Sequence, residues 1–292
     1  MKKHYLKAAI VIGLLIIIIG FFGYFIGKHP QIITSLRHTS PGLIIILLLC
    51  YGVMMVWWME IYNCVLSLCG QPLKNSENML LTIYSTLANF FLPLQSGPGV
   101  RAAYLKKRHK ISVYSYLLAT LFYLGLYAII SAAFLFVAST FWWLIIPAVA
   151  LASLISFLVI SFAKKQFEKK GKQIKLQFTR AKLTRLVFLT LAQATTQAII
   201  YGIELHSLHP IGFTIKRVIS YTGAANFSLF VSLTPGAIGF REAFLEFSQK
   251  LHHFTTASIL AANIIDRGVF LIFLGILFII MLATHAKNKL KI

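Results

Sequence analysis

The stretch SLTPGAIGFRE, residues Ser232–Glu242, separates two apolar runs near the C-terminal end of the chain. Pro235 has no backbone N–H, and glycines such as Gly236 and Gly239 can adopt conformations that other residues avoid, so the stretch predicts a break in a helix. Two interpretations are open. The break lies at membrane depth, where it must be buried in protein or line a cavity, or it is an ordinary turn near a membrane surface.

The composition is typical of a helical membrane protein. The 292 residues are 58% hydrophobic and 12% charged, with a mean hydropathy of +0.80. Several apolar runs reach the ~20 residues that cross a bilayer as a helix. We therefore predict an all-α polytopic membrane protein with a single integral membrane domain over residues 1–292 and no room for a sizeable soluble domain.

The charge is strongly basic, with 28 Lys and Arg against 7 Asp and Glu and a formal net charge of +21. These basic residues lie in loops between apolar runs, as in cytoplasmic loops that contact anionic lipid head groups, so no nucleic-acid partner is expected. Lysines before the apolar run 8–26 resemble the start of a signal peptide, but the run is longer than a typical signal-peptide core and no clear small-x-small cleavage site follows, so an uncleaved first helix is expected. The three cysteines show no Cys-x-x-Cys spacing and are interpreted as packing residues.

Apolar runs and charges together predict the topology. About six spanning helices are expected, at residues 8–27, 41–68, 112–137, 141–162, 186–206 and 255–285. Segments 76–110 and 215–250 must each begin and end on one side, so we predict two re-entrant helical hairpins, or eight membrane segments if hairpins count as spans. For the first hairpin, a full span followed by an amphipathic helix is the alternative. Lysines that flank the first and last spans place both termini in the cytoplasm, and we expect a multi-pass protein of the plasma membrane.

An internal repeat relates the two hairpins. Repeat 1 covers about 42–137 and repeat 2 about 186–285, joined by a basic cytoplasmic linker at 164–185. Matching segments keep their order at an offset between 137 and 144 residues: 84–90 with 221–227, Pro93-x-x-x-Gly97 with Pro235-x-x-x-Gly239, 109–115 with 252–258, and Glu60 with Glu204. Because the charges place the copies in opposite orientations, this is an inverted repeat, which predicts a substrate site between the halves near the bilayer midplane.

The predicted site is suited to an anionic group. Helix N-termini at the breaks offer free N–H groups and partial positive charge, and Arg101 and Arg241 can each add bidentate phosphate contacts. The candidate substrate-binding residues are Asn89, Pro93, Gly97, Arg101, Asn226, Pro235, Gly236, Gly239, Arg241, Glu242, Asp266 and Arg267. Glu242 and Asp266 pair with the arginines or with a cationic group of the substrate, and structural ion pairing that holds the hairpin against the last span is equally open.

Two other acids within apolar runs, Glu60 and Glu204, are candidates for a proton or charge relay, although burial alone can keep them neutral. No metal or other cofactor is expected. The pairs His206/His209 and His252/His253 lie at membrane edges without convergent cysteine or carboxylate ligands.

Two motifs resemble a known family, the membrane domain of lysylphosphatidylglycerol synthase/flippase proteins. They are the segment Asn89–Ser112, with its Pro93…Gly97-Pro-Gly-Val-Arg101 core, and Pro235–Glu242 with Asp266-Arg267 downstream. The resemblance covers nearly the whole chain and implies a lipid-translocating domain. In full-length relatives a separate soluble domain performs aminoacyl transfer. This chain departs from the pattern at Pro98, where an acidic residue is common, and in 117–127, which lacks the usual charges.

The leading hypothesis is a flippase-like translocator for an anionic or aminoacylated phospholipid such as lysylphosphatidylglycerol, or for a polyprenyl-linked lipid. No GxxxxGK[ST] motif occurs, so energy would come from a gradient or from mass action, or the exchange is passive. The alternatives are a membrane subunit associated with phosphatidylglycerol lysyltransferase that supports cationic-peptide resistance, and a non-catalytic scaffold for a lipid-modifying enzyme. Enzymatic activity of this chain alone is not expected. A separate synthase and a second copy of the chain are further candidate partners.

Overall fold

The computed structural model describes residues 27, 39–91, 96–138, 142–169, 171, 174–208, 212–231, 237 and 239–288. Within these ranges the chain is helical and has no strand. The helices are α1 (Pro41–Leu68), α2 (Asn75–Phe91), α3 (Gly97–His109), α4 (Val113–Leu135), a 3₁₀ turn (Trp142–Leu144), α5 (Ile145–Lys169), α6 (Arg180–Ser207), α7 (Ile215–Val231), α8 (Phe240–Phe247), α9 (Gln249–His252) and α10 (Thr256–Asn288).

Five helical segments in the described ranges are long and apolar enough to cross a membrane: Pro41–Leu68, Val113–Leu135, Trp142–Lys169, Arg180–Ser207 and Thr256–Ala283. They correspond to five of the six predicted spans, and the prediction of an all-helical, multi-pass membrane protein is confirmed. The first predicted span, apart from Gly27, lies outside the described residues.

Hydroxyl caps set where three of these helices begin. Ser40 Oγ accepts the Leu43 N–H at 3.2 Å, Ser112 Oγ accepts that of Ser115 at 3.4 Å, and Thr179 Oγ1 accepts that of Lys182 at 3.3 Å. Because α6 begins at Arg180 and α5 continues to Lys169, both helices extend into the predicted linker, and the described residues between them, 171 and 174–179, are not helical. Long basic side chains allow this, since their apolar stems stay with the helix while the charge reaches water.

Helices α1 and α6, which open the two repeats, pack against each other in antiparallel orientation. The Leu68 carbonyl accepts the Gln177 N–H at 2.8 Å, and the Trp57 indole N–H donates to Thr196 Oγ1 at 3.0 Å. Each helix contributes to two apolar cores. One core contains the first half of α1 and the last part of α6, and the other contains the last part of α1 and the first half of α6.

Two short helix pairs lie where the hairpins were predicted. Helices α2 and α7 have 17 residues each, about 26 Å at 1.5 Å per residue, and α3 and α8 have 13 and 8 residues. A hydrocarbon core is about 30 Å thick, so none of these arms is long enough to cross it upright. The connections at 92–95, 232–236 and 238 lie outside the described residues.

Candidate functional site

Arg101 is the anchor of the first hairpin and is completely buried at 0% exposure. Its Nη2 donates to Thr82 Oγ1 at 2.8 Å, its Nη1 to Asn78 Oδ1 at 3.2 Å and its Nε to Ser85 Oγ at 3.3 Å. The guanidinium also lies 3.8 Å from the ring centroid of Tyr62. Among the described residues no carboxylate pairs with Arg101, so polar side chains of α2 and a π-face stabilise this charge, and α3 is held against α2.

Asn89 and Gly97 form the described part of the first break. The Gly97 N–H donates to Asn89 Oδ1 at 2.7 Å, so the amide satisfies a free donor at the start of α3. A Cβ atom on Gly97 would lie 2.5 Å from that oxygen and 2.6 Å from the Ser85 carbonyl oxygen. Glycine is therefore required by close approach. Pro93 lies outside the described residues.

A second polar contact closes the opposite end of this hairpin. The Tyr104 hydroxyl donates to Glu77 Oε1 at 2.5 Å, and His109 Nε2 lies 2.7 Å from the same oxygen. Burial opposes ionisation of Glu77, but the hydrogen bonds from Tyr104 and His109 and the charges of His109 and Arg108 outweigh it and lower the pKa of Glu77. Burial and the Glu77 carboxylate raise the pKa of Tyr104 to about 12.

Gly239 begins the returning arm of the second hairpin. Its φ of 81° lies in the left-handed region that favours glycine. Its N–H donates to Glu242 Oε2 at 2.8 Å, which satisfies a free donor at the start of α8 and places a carboxylate at the positive end of the helix. Pro235 and Gly236 lie outside the described residues.

Two ion pairs fasten α8 to α10. Arg241 Nη1 lies 2.5 Å from Asp266 Oδ2, and Arg267 Nη2 lies 2.5 Å from Glu242 Oε1. The Arg241 and Asp266 side chains are only 10% and 7% exposed, so this pair is largely desolvated. The four charged residues that the sequence analysis placed together are in contact, in the structural pairing that was one of its two interpretations.

Two tyrosines complete this site, and the sequence analysis did not include them. The Tyr51 hydroxyl of α1 donates to Asp266 Oδ1, and the Arg241 guanidinium lies 4.8 Å from the ring centroid of Tyr201 on α6. Both tyrosines are buried within apolar helices. Tyrosine in an apolar span is common in interfacial and packing roles, so no local signal distinguishes these two.

Several polar atoms near the second hairpin have no hydrogen-bond partner of acceptable geometry. They are Nε and Nη2 of Arg241, Nη1 of Arg267, and both amide atoms of Asn226 and Asn263. Asn263 lies one helical turn before Asp266 and Arg267 on α10, and therefore on the same face. Buried polar groups are nearly always satisfied in native proteins. The contact between the second hairpin and α10 thus holds unused donors, whereas the three nitrogens of Arg101 are engaged.

The two candidate relay acids occupy different surroundings. Glu60 pairs with Arg185 where α1 meets the start of α6, and its side chain is 26% exposed. Glu204 is completely buried, and neither of its carboxylate oxygens makes a hydrogen bond of acceptable geometry. Equivalent positions in the repeat therefore hold one partly hydrated ion pair and one buried carboxyl group without an ion-pair partner among the described residues.

The charge of the site belongs to the second half of the chain. The offset that relates Ser112 to Thr255 is 255 − 112 = 143, and it relates Tyr123 to Asp266. Tyr123 donates to Gln193 Oε1 at 2.8 Å, so a neutral bond joins the repeats where the second half has a carboxylate.

Histidine and cysteine do not form a ligand set in the described residues, which contain no group of three His, Cys, Asp or Glu side chains suited to a metal. His252 is buried, its Nε2 donates to the Leu245 carbonyl at 3.0 Å, and Nδ1 accepts the Phe254 N–H at 3.2 Å. Burial lowers the pKa of His252 to about 4, which keeps the ring neutral in this role.

The chain matches a protein-family model over most of its length. The family described as the lysylphosphatidylglycerol synthase TM region matches residues 8–277, which include both hairpins and the four charged residues that join α8 to α10. No curated protein matches the chain.

Proposed function

This chain belongs to the lysylphosphatidylglycerol synthase TM-region family, and we propose on that premise that it is a flippase-like translocator for an anionic or aminoacylated phospholipid. The lipid head group binds between the two hairpins while the acyl chains stay in the bilayer. Lysylphosphatidylglycerol is the substrate that the family description favours.

The unused donors where the second hairpin meets α10 carry this proposal. Three guanidinium nitrogens of Arg241 and Arg267 are buried and make no hydrogen bond of acceptable geometry to a described residue. A lipid phosphate offers several acceptor oxygens and prefers the planar donors of arginine. The Asn226 and Asn263 amides add neutral donors for phosphate or glycerol oxygens. Glu242 and Asp266 provide carboxylates for a cationic lysyl group when the ion pairs open.

The first hairpin has a different role in this proposal. Arg101 uses its three nitrogens within the hairpin, so it stabilises the break of Asn89 and Gly97 and leaves the phosphate to the second half. Arms of about 20 to 26 Å in α2, α3 and α7 fit re-entrant hairpins that enter from opposite faces. With both termini in the cytoplasm, rocking of one repeat against the other exposes the site to each leaflet in turn.

The test is leaflet exchange of fluorescent phosphatidylglycerol and of lysylphosphatidylglycerol in proteoliposomes. Wild-type protein should accelerate exchange over protein-free vesicles. Arg267→Gln, which removes the positive charge and most of the guanidinium N–H donors, should reduce the rate of lipid exchange at least tenfold. The matched control is Arg180→Gln, since Arg180 is an exposed arginine at the start of α6 and should leave the rate unchanged.

Folding of each variant is checked by size-exclusion chromatography before reconstitution. Folded wild-type protein that exchanges none of the tested lipids would overturn the proposal and favour a scaffold for a lipid-modifying enzyme. Equal loss of exchange in Arg267→Gln and Arg180→Gln would place the effect outside the second hairpin.

A further inference from the structure

Glu204 is a buried acid in the protein interior that has no cation of its own in the described part of the chain. Its side chain is 0% exposed, and its carboxylate oxygens have no hydrogen-bond partner of acceptable geometry among the described residues. An ionised carboxylate in such a place costs several kcal/mol unless it is paired, whereas the protonated acid has no net charge to desolvate. The site therefore favours a proton on Glu204.

The neighbours of Glu204 do not supply a free cation. The titratable groups that face it are Cys50 and Tyr51 from α1, Tyr221 from α7, Arg241 from α8 and Asp266 from α10. Arg241 is the one cation in this set, and its Nη1 already pairs with Asp266 at 2.5 Å. The Tyr51 hydroxyl donates to Asp266 as well, so the positive charge of Arg241 and this hydroxyl are both used by the other carboxylate.

Charge counting leads to the same result. The three acids at the second hairpin are Glu204, Glu242 and Asp266, and the arginines are Arg241 and Arg267. With every group ionised the total is 2 − 3 = −1, and one proton makes the cluster neutral. Neutral clusters are the ones that a membrane interior tolerates.

We infer that Glu204 is a proton-binding residue whose proton is thermodynamically linked to the lipid head group held by Arg241. A phosphate bound to Arg241 competes with Asp266 for the guanidinium. Asp266 then faces Glu204 with less positive charge between them, and two adjacent carboxyl groups retain a shared proton. Lipid and proton therefore strengthen each other's binding by the same factor. The proton site stands on the structure, and its linkage to lipid rests on the proposed function.

Glu60 provides the matched comparison, because it is the equivalent residue of repeat 1 and differs in its surroundings. It is 26% exposed and pairs with Arg185, so solvent and a cation both stabilise its ionised form. The inference assigns the proton to Glu204 alone. A sequence reading treats the two acids alike.

The proton site is tested first, without any transport assay. An apolar carbodiimide reacts with protonated carboxyl groups in apolar surroundings, and mass spectrometry of peptides from the full-length protein in detergent locates the modification. Glu204 should be modified in wild type and in Glu60→Gln, and modification should fall as the pH is raised. Lack of Glu204 modification at every pH, with Glu60 modified instead, would overturn the assignment.

Linkage is tested by the pH dependence of lipid binding and exchange. Above the pH at which lipid-free Glu204 loses its proton, affinity for phosphatidylglycerol should rise by up to about tenfold per pH unit as the pH falls, the limit for one linked proton. In Glu204→Gln this dependence should disappear while lipid still binds, and Glu60→Gln should behave as wild type. In proteoliposomes an imposed pH gradient should bias the steady-state leaflet distribution of lipid only when Glu204 is present.

The two proposals fail in different ways. Modified Glu204 in a protein that exchanges no lipid retains the proton site and rejects the translocator. Lipid exchange in wild type that shows neither a pH dependence nor an effect of Glu204→Gln retains the translocator and rejects the linkage.

Discussion

Replacement of Arg101 by lysine tests whether this arginine stabilises the fold or contacts the lipid head group. In the structure, three of its nitrogens bind Asn78, Thr82 and Ser85 on α2, and the guanidinium plane lies 3.8 Å from the ring centroid of Tyr62. Lysine keeps the charge but concentrates it in one compact ammonium group. Because the three acceptors lie on successive turns of α2, the ammonium reaches one of them, and two hydrogen bonds are lost.

The magnitude follows from the environment of those two bonds. Hydrogen bonds to charged groups contribute about 1.5–3 kcal/mol each in soluble proteins. Within membranes, side-chain hydrogen bonds average about 0.6 kcal/mol and reach about 1.7, because the unfolded helices also find partners in the bilayer. The membrane values apply to a residue buried among helices. Arg101→Lys should therefore lower the free energy of unfolding by about 1–3 kcal/mol.

The assay is equilibrium unfolding in mixed micelles, with increasing SDS in a mild detergent and helicity followed by far-UV circular dichroism. The control is Arg108→Lys on the same helix, where the side chain is 51% exposed and the change should stay within about 0.5 kcal/mol. Equal stability of the two variants would refute the reasoning. So would normal stability of Arg101→Lys together with weakened lipid binding, since Arg101 would then contact the head group.

Three further predictions concern stability in the same unfolding assay. Gly97→Ala should lower the free energy of unfolding by about 1–3 kcal/mol, because the new Cβ would lie 2.6 Å from a backbone carbonyl oxygen of α2. The control Gly99→Ala, whose new Cβ would have no atom within 4 Å, should raise it by up to about 1 kcal/mol. Gly223→Ala should separate α7 from α4 and destabilise by at least about 1 kcal/mol, because the new Cβ would lie 2.4 Å from the Leu135 nitrogen; a stability equal to wild type would contradict this packing. The pKa of Glu77 is lower in the folded than in the unfolded protein, so the ionised carboxylate contributes to the free energy of unfolding above its unfolded pKa, and this contribution is lost as the pH falls through the folded pKa. The SDS midpoints of wild type and Glu77→Gln should therefore differ at neutral pH and converge at acidic pH.

The sequence was informative about the second hairpin because its signals are local. Pro235, Gly236 and Gly239 predict a break within a few residues, and in the described part Gly239 adopts the left-handed conformation that such a break requires. Arg241, Glu242 and the pair at 266–267 are ionisable residues in apolar surroundings, which already mark them as partners of one another or of a ligand. Their pairing needed only that α8 lie beside α10.

The sequence was less informative about residues whose role depends on distant helices. Arg101 and Arg241 follow their breaks in the same way, yet Arg101 is saturated by polar side chains of α2 and Arg241 retains two nitrogens without a hydrogen-bond partner. Tyr51 reaches Asp266 across 215 residues of chain. No local pattern specifies such a contact, because a tyrosine in an apolar helix looks the same wherever its hydroxyl points.

The amino-acid sequence by itself determined that this is a helical membrane protein with two helix breaks, a basic connection and membership of a lipid-related family. Each of these follows from local properties, namely runs of apolar residues, glycine and proline at fixed spacings, and short motifs. Only the tertiary structure decided which charged side chains form ion pairs and which carboxyl group has no cation paired with it. Glu60 and Glu204 are equivalent in the sequence, but Arg185 lies beside the first, and the second is buried beside an arginine already paired to Asp266. That difference arises because the cost of a buried charge is set by neighbours from other helices, which a one-dimensional pattern does not contain.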